Sequence, residues 1–295
     1  MMLLLVLAFN WLILFFTLDI TISMFYTFTN KTILLLAVFT FIFVTGLAIL
    51  FYSEIGQWLL RLFSGARKTI LREDEKLNPI INQVQQAIKE KMNLKNLPIK
   101  LMVIDSPTPE AFAIGKNTLV ISRGLYETAS EDELAGVIAH EFSHFHHSDS
   151  NKLGMILGVS MVSFIVVWVA SLFVTIMGFI GGFSSSEKNE SDTGLGGILS
   201  IVGIFFAFFA FIFLFFVKIG NWVLDVAILF IGRKQEYKAD QFAIKAGFGT
   251  GLLSFLEKLK DKNFDKPENL LMRFYVTHPP IMLRIGEIEK NFEVK

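Results

Sequence analysis

Four stretches of this chain carry no charged side chain over the length that a helix needs to cross a bilayer, about 20 residues. They are Met1–Leu18, Thr32–Tyr52, Leu153–Gly182 and Gly194–Val217. A soluble fold has no room for four helices that are apolar on every side. The sequence therefore predicts a four-span α-helical membrane protein. Composition agrees: 53% of residues are hydrophobic and 18% charged, against about 25% charged in soluble domains. The first run lacks a basic start and a small-residue cleavage site, and a second run follows at once. It reads as a retained anchor, not a signal peptide.

Lysine and arginine near the span ends set the expected orientation. Arg61, Arg67, Lys68 and Arg72 follow the second run, Lys152 precedes the third, and Lys218, Arg233, Lys234 and Lys238 follow the fourth. The loop 183–193 holds Lys188 against Glu187, Glu190 and Asp192. Residues 53–152 and 218–295 are thus expected in the cytosol, with 1–52 and 153–217 as paired spans and 183–193 as a short external loop. The two cytosolic segments together suffice for one compact domain. Lysine plus arginine balance aspartate plus glutamate at 27 each, which removes the electrostatic case for nucleic-acid binding. The chain has no cysteine, which excludes thiolate metal sites and cysteine nucleophiles.

Within the cytosolic segments, Asn78–Met92 reads as a polar helix, and Ile99–Ile104 and Asn117–Ser122 as short strands. Glu131–His147 reads as a helix with Ser130 as N-cap and Glu131, Asp132 and Glu133 in its first turn. Gly251–Lys262 and Ile281–Phe292 read as further amphipathic helices. The expected fold is mainly α with a small β-sheet.

Four of the five histidines stand at 140, 144, 146 and 147. His140 and His144 are one helical turn apart and share a face, and Glu141 lies beside the first. This His-Glu-x-x-His pattern suits one zinc ion held through two imidazoles, with the glutamate leaning toward a metal-bound water. A hydrolytic zinc site needs a third protein ligand and an open position. A further histidine ten residues after the first is excluded, because that position is Ser150. Glu236, with Asp240 one turn on, fits the other common solution: Glu236 as ligand, and Asp240 accepting from the second ring nitrogen of a ligand histidine. His147, on the same helix face as His140 and His144, is a rival third ligand.

With these residues in hand, the chain resembles the HtpX-type membrane zinc metallopeptidases, relatives of the CAAX prenyl endoprotease. The resemblance covers nearly the whole chain: two spans, His-Glu-x-x-His, two more spans, and the glutamate helix. Pro109-Glu110-Ala111-Phe112-Ala113-Ile114-Gly115 is similar to the family's Asn-Ala-Phe-Ala-x-Gly segment, with Glu110 in place of asparagine. Asp149 matches an aspartate after the zinc motif, and Thr277-His278-Pro279-Pro280 with Arg284 matches the C-terminal motif. His147 stands where relatives often carry asparagine.

The resemblance implies a zincin-like catalytic domain facing the cytoplasm at the plasma (inner) membrane, with one Zn2+ per chain. Polypeptides, above all misfolded or damaged membrane proteins in stress-linked quality control, would be the substrates. Glu141 is expected as general base and His278 as the group that stabilises the oxyanion. Asp240, Asp149 and Arg284 are expected to support the ligands. Ala111, Phe112 and Ala113 are expected to contact substrate. The strand Asn117–Ser122, with Leu119 and Ile121, is expected to offer its edge to an extended peptide. A single helix over residues 197–236, about 60 Å long at 1.5 Å per residue, would carry Glu236 from the fourth span to the site.

The competing reading is a membrane chaperone or scaffold with structural zinc, which needs neither Glu141 nor an open coordination position. An intramembrane protease is disfavoured, because the zinc-motif helix begins with three acidic residues. A metal transporter is disfavoured because only Asp19 and Asp225 lie near the spans.

Overall fold

A computed structural model describes residues 2–23, 29–184, 232, 234–262 and 281–293. The fourth apolar run, residues 185–193, and Thr277-His278-Pro279-Pro280 of the C-terminal motif lie outside the described residues. The chain divides into two compact units: residues 1–51 with 155–226, and residues 52–154 with 227–295.

In the first unit, α1 (Met2–Ser23), α2 (Asn30–Tyr52) and most of α7 (Asp149–Ser184) account for three of the four expected spans. Leu3–Ser23, Asn30–Tyr52 and Asp149–Phe173 are each long and apolar enough to cross a membrane. Many of their apolar side chains, Leu34, Leu35, Phe39, Ile42 and Phe164 among them, point away from the protein. Polar groups turn inward. The Trp11 indole donates to the Ala37 carbonyl and to Thr40 Oγ1, and buried Asn10 donates to the Val6 carbonyl and Ser160 Oγ. These bonds join α1 to α2 and α1 to α7 and leave apolar side chains on the outer faces.

The second unit holds a four-stranded sheet in the order β1-β2-β4-β3. Its strands are β1 (Arg67–Lys68), β2 (Lys100–Ile104), β3 (Ala111–Ile114) and β4 (Thr118–Ser122). β2 and β4 are parallel, while β4 returns antiparallel to β3 after the turn 115–117. Gly115 makes that turn possible: its φ is +60°, and a Cβ there would collide with the Gln57 side chain. One sheet face, with Ala113, Leu119 and Ile121, packs on helices. The other, with Phe112, Ile114 and Val120, packs with Leu60 of α3 (Glu54–Phe63).

The helical layer is built around α6 (Glu131–His146), buried along almost its whole length. α4 (Leu71–Met92), α5 (Arg123–Thr128), α8 (residues 234–246), α9 (Gly249–Lys262) and α10 (Ile281–Glu293) complete the unit. Ser130 caps α6 through a reciprocal pair. Its Oγ accepts from Glu133 N (3.2 Å), and Glu133 Oε2 accepts from Ser130 N (2.9 Å). Glu133 also accepts from Ser254 and Lys258 of α9. Gly136 and Gly251 lie where α6 and α9 meet: a Cβ on either would enter the other helix's backbone.

Candidate active site

The buried face of α8 sets the third corner of the site. Phe242, Ala243 and Ala246 join the core and Ala239 is buried too, and the three alanines allow a close approach to α6. Glu236 and Asp240, one turn apart, then fall on the adjoining face, against His140 and His144. Glu236 Oε2 lies 3.2 Å from His140 Nε2, and Glu236 Oε1 lies 3.4 Å from His144 Nε2. The ligand atoms offered by His140, Glu141 and His144 all lie within 4.8 Å of one another.

A second layer holds these groups in place. Asp240 Oδ1 is 2.9 Å from His140 Nδ1, so that ring nitrogen is turned away from Glu236. Arg284 of α10 grips Asp240 with Nε and a terminal nitrogen. Its other terminal nitrogen is 3.6 Å from Glu236 Oε2. Arg284 is 5% exposed, so it is not a surface pair. Burial works against its charge, but Asp240 and Glu236 raise its pKa. Burial would lift Asp240, yet Arg284 and His140 hold it down to about 2. Burial and Arg284 oppose a charged His140, but Glu236 and Asp240 push it up to about 9. His144 is also raised, with burial outweighed by Glu236. Three buried carboxylates, Glu141, Glu236 and Asp240, face one guanidinium. The site therefore favours added positive charge between the imidazoles and Glu236.

The residues fit a zinc ion. Ligands about 2.0–2.2 Å from one ion at tetrahedral angles stand about 3.3 Å apart, and the two nitrogen-to-carboxylate separations are 3.2 and 3.4 Å. Two imidazoles and a carboxylate also form the donor set that zinc accepts in hydrolytic sites.

Other expected residues take different places. His147 is the C-cap of α6, and its Nδ1 meets the Ser143 carbonyl at 2.8 Å. It is not in the ligand group. Asp149 accepts from Gln235, the residue before Glu236. It steadies α8 from the start of α7.

The expectation that Asn117–Ser122 offers a free edge is overturned, because β4 lies between β2 and β3. Leu119 and Ile121 are core residues of that central strand, and Asn117 is a turn residue whose amide donates to the Pro98 carbonyl. Phe112, expected to contact substrate, packs with Leu60, Ile104, Ile114 and Val120 and so belongs to the core. Among the described residues the edge strands are β1 and β3, and β3 is the one that packs on α6. Ser122 N donates to the Glu110 carbonyl and Glu110 N to Ser122 Oγ, which puts positions 110 and 122 in the hydrogen-bonded register at the end of the β3–β4 ladder. By antiparallel alternation, Ala111 and Ala113 then point their N–H and C=O groups outward. Sequence reasoning misses β3 as a strand, although its register follows from the tight turn at Gly115.

A His-Glu-x-x-His helix faced by a glutamate helix and flanked by a short sheet defines a metallopeptidase, and the apolar helices make it an integral membrane one. Peptidase family M48 matches residues 74–291, and the chain belongs to that family. It is similar to a "Protease HtpX homolog" of Halobacterium salinarum, 27% identical over 84% of this chain and 74% of that one. It is similar also to "Protease HtpX" of Shewanella denitrificans, 27% identical over 80% of this chain and 82% of that one. The crystal structure of S. mikatae Ste24p aligns with a TM-score of 0.46 at 20% identity, covering 96% of this chain and 63% of that one. The chain is a membrane-anchored metalloprotease.

Proposed function

We propose that the chain is a zinc endopeptidase, with one zinc per chain, that cuts misfolded or damaged membrane proteins on the cytosolic side of the plasma (inner) membrane. The observation that carries the zinc assignment is the meeting of Glu236 with both histidine Nε2 atoms at 3.2 and 3.4 Å. His140, His144 and Glu236 would hold the ion. Bound zinc lowers the pKa of a coordinated water to about 7 and polarises a carbonyl oxygen. Glu141, beside His140 on the same helix, accepts the proton of the attacking water and delivers it to the leaving amine. Asp240 fixes His140 by accepting a hydrogen bond from its Nδ1–H, and Arg284 fixes Asp240 and Glu236 together. His278, in a motif that matches the family's, donates to the developing oxyanion. Ala111 and Ala113 pair their outward backbone groups with an extended substrate, a mode that binds a peptide with little regard to its side chains. Four spans, with 53–152 and 218–295 in the cytosol, follow from the apolar runs and the lysine and arginine distribution.

The test is hydrolysis of an unfolded protein in detergent by metal-free chain, zinc-restored chain and zinc-restored Glu141→Gln. Cleavage by the zinc-restored native chain is expected, with Glu141→Gln lower by about 10²–10⁴-fold at unchanged zinc content. One equivalent of zinc with no cleavage by either chain would favour the structural-zinc scaffold. Equal cleavage by both would remove Glu141 from its role.

A further inference from the structure

Helix α3 is amphipathic in the opposite sense to a helix covering a soluble core. Its buried residues are Gly56, Gln57 and Leu60, while Ile55, Trp58, Leu62 and Phe63 are between 55 and 62% exposed. Ile55, Trp58 and Leu62 recur at i, i+3 and i+7, which makes them one stripe. Ile70 and Leu71, just past β1, are more than half exposed as well. The buried amide is well used: Gln57 Nε2 donates to Asn151 Oδ1, and its Oε1 accepts from Lys116 N. The helix is therefore anchored through its polar side and turns its apolar side outward.

Chain continuity says what meets that side. α2 ends at Tyr52 and α3 begins at Glu54, with only Ser53 between them. One residue spans no more than about 3.6 Å, so α3 starts where the apolar run stops. Tryptophan favours that depth of a bilayer, and an amphipathic helix with its apolar stripe outward lies in the interface plane. Beside the stripe runs a groove of about 670 Å³, bordered by Trp58, Arg61, Leu62, Lys68, Asp74 and Lys100. Arg61, Lys68 and Lys100 line it with Asp74, and Glu54 stands near Lys100. Lys100 Nζ is 3.9 Å from Glu54, and an Arg61 terminal nitrogen is 3.4 Å from Thr118 Oγ1. Both contacts are long, so both cations can meet a further anion. Apolar and cationic walls on one groove match a phospholipid, whose phosphate and acyl chains are joined in one molecule.

We infer that α3 lies in the bilayer interface and that its groove binds the phosphate headgroup of an anionic phospholipid. The inference rests on the reading that α2 crosses the membrane. The test uses the full chain, which contains no cysteine, so a single introduced cysteine takes one spin label. Labels at Ile55→Cys and Leu62→Cys are compared with Phe39→Cys in α2 and Asn82→Cys in α4. The vesicles are phosphatidylcholine with about one third phosphatidylglycerol.

Oxygen access with exclusion of a water-soluble nickel complex is expected at 55, 62 and 39, and the reverse at 82. Nickel access at 55 and 62 with oxygen access at 39 overturns the inference and leaves the span intact. Nickel access at 39 overturns the span itself. Exclusion of both reagents at 55 and 62 means that protein covers the stripe, which also overturns the inference. The headgroup is tested by native mass spectrometry of phosphatidylglycerol retained over phosphatidylcholine. Lys68→Gln/Lys100→Gln should lower that preference about 25-fold, at about fivefold per cation. Lys68→Arg/Lys100→Arg should keep it, and an unchanged preference in the glutamine variant overturns the groove assignment.

Discussion

At the scale of single residues, the hydrogen bond between Asp240 and His140 separates two jobs that a buried carboxylate can do. It can add charge, or it can aim a ring. Asp240 Oδ1 meets the Nδ1 side of His140 at 2.9 Å, and Glu236 meets the Nε2 side at 3.2 Å. The two nitrogens are thus assigned by geometry. Replacing Asp240 with Asn keeps the shape but removes a charge and offers an N–H donor where Arg284 already points. Loss of such an outer partner costs about 10–100-fold in metal affinity. Asp240→Asn should show that loss in competition with a metal-binding dye, with residual cleavage recovered at high zinc. A variant that keeps native affinity would mean that Asp240 acts only in packing. The His-Glu-x-x-His spacing is legible in the sequence because one helical turn dictates it. Glu236 is legible from its turn-spaced partner Asp240. The grip of Arg284 on Asp240 is not, because the two stand 44 positions apart and nothing local distinguishes a buried arginine from a surface one.

At the scale of elements, the α6–α9 contact carries two predictions. Gly136 faces the backbone of Leu252, so a methyl group there cannot be relieved by a side-chain rotation. Alanine gains about 1 kcal/mol of helix propensity over glycine, but overpacking of this kind costs about 3 kcal/mol. Gly136→Ala should therefore destabilise the chain, read as a lower thermal midpoint. Gly286→Ala on α10, with nothing within 4 Å of the new methyl, should be neutral or raise it. The second prediction concerns Glu133. Burial would raise its pKa, but Lys258, Ser130 N and Ser254 lower it. A lowered folded pKa contributes stability above the ordinary glutamate value of about 4.3 and loses it as pH falls through the folded value. Glu133→Gln should cost about 2 kcal/mol near neutrality, and the gap should close in acid below the ordinary value. A gap that persists there would show that shape, not charge, holds α6 to α9. The cap at Ser130 is visible in the sequence, since a serine followed three residues later by glutamate is a local signal. Two features are hidden for physical reasons. The Ala111–Ile114 strand is four residues long, and its pairing exists only because Gly115 turns the chain onto β4. The expected start of α4 at Asn78 is late, because Pro79 resembles a first-turn proline. The helix runs instead from Leu71 through Pro79, fixed by buried Glu73, which accepts from Ile70 N, and by buried Leu77.

At the scale of the whole molecule, the order of elements along the chain makes the catalytic unit depend on the membrane. His144 and Glu236 are joined through residues 145–235, which include α7 and the fourth apolar run. Two ligands of one proposed zinc site thus sit on either side of a pair of expected spans. Their meeting requires that the spans return the chain to the side it left, which an even number of crossings does. The orientation proposed from the lysine and arginine distribution assigns that side to the cytosol. Cysteine scanning tests this directly, because the native chain has no cysteine to mask. In intact cells, Lys188→Cys in the loop 183–193 should react with a membrane-impermeant maleimide. Asn82→Cys on α4 should react only after the membrane is opened. Reaction at 82 in intact cells, with protection at 188, would reverse the orientation and keep the paired spans. Reaction at both positions only after opening would place the loop and α4 on one side, so that the third apolar run does not cross. The fourth run would then also have to stay on that side, or Glu236 would be carried across the bilayer from His144 and the zinc site could not form.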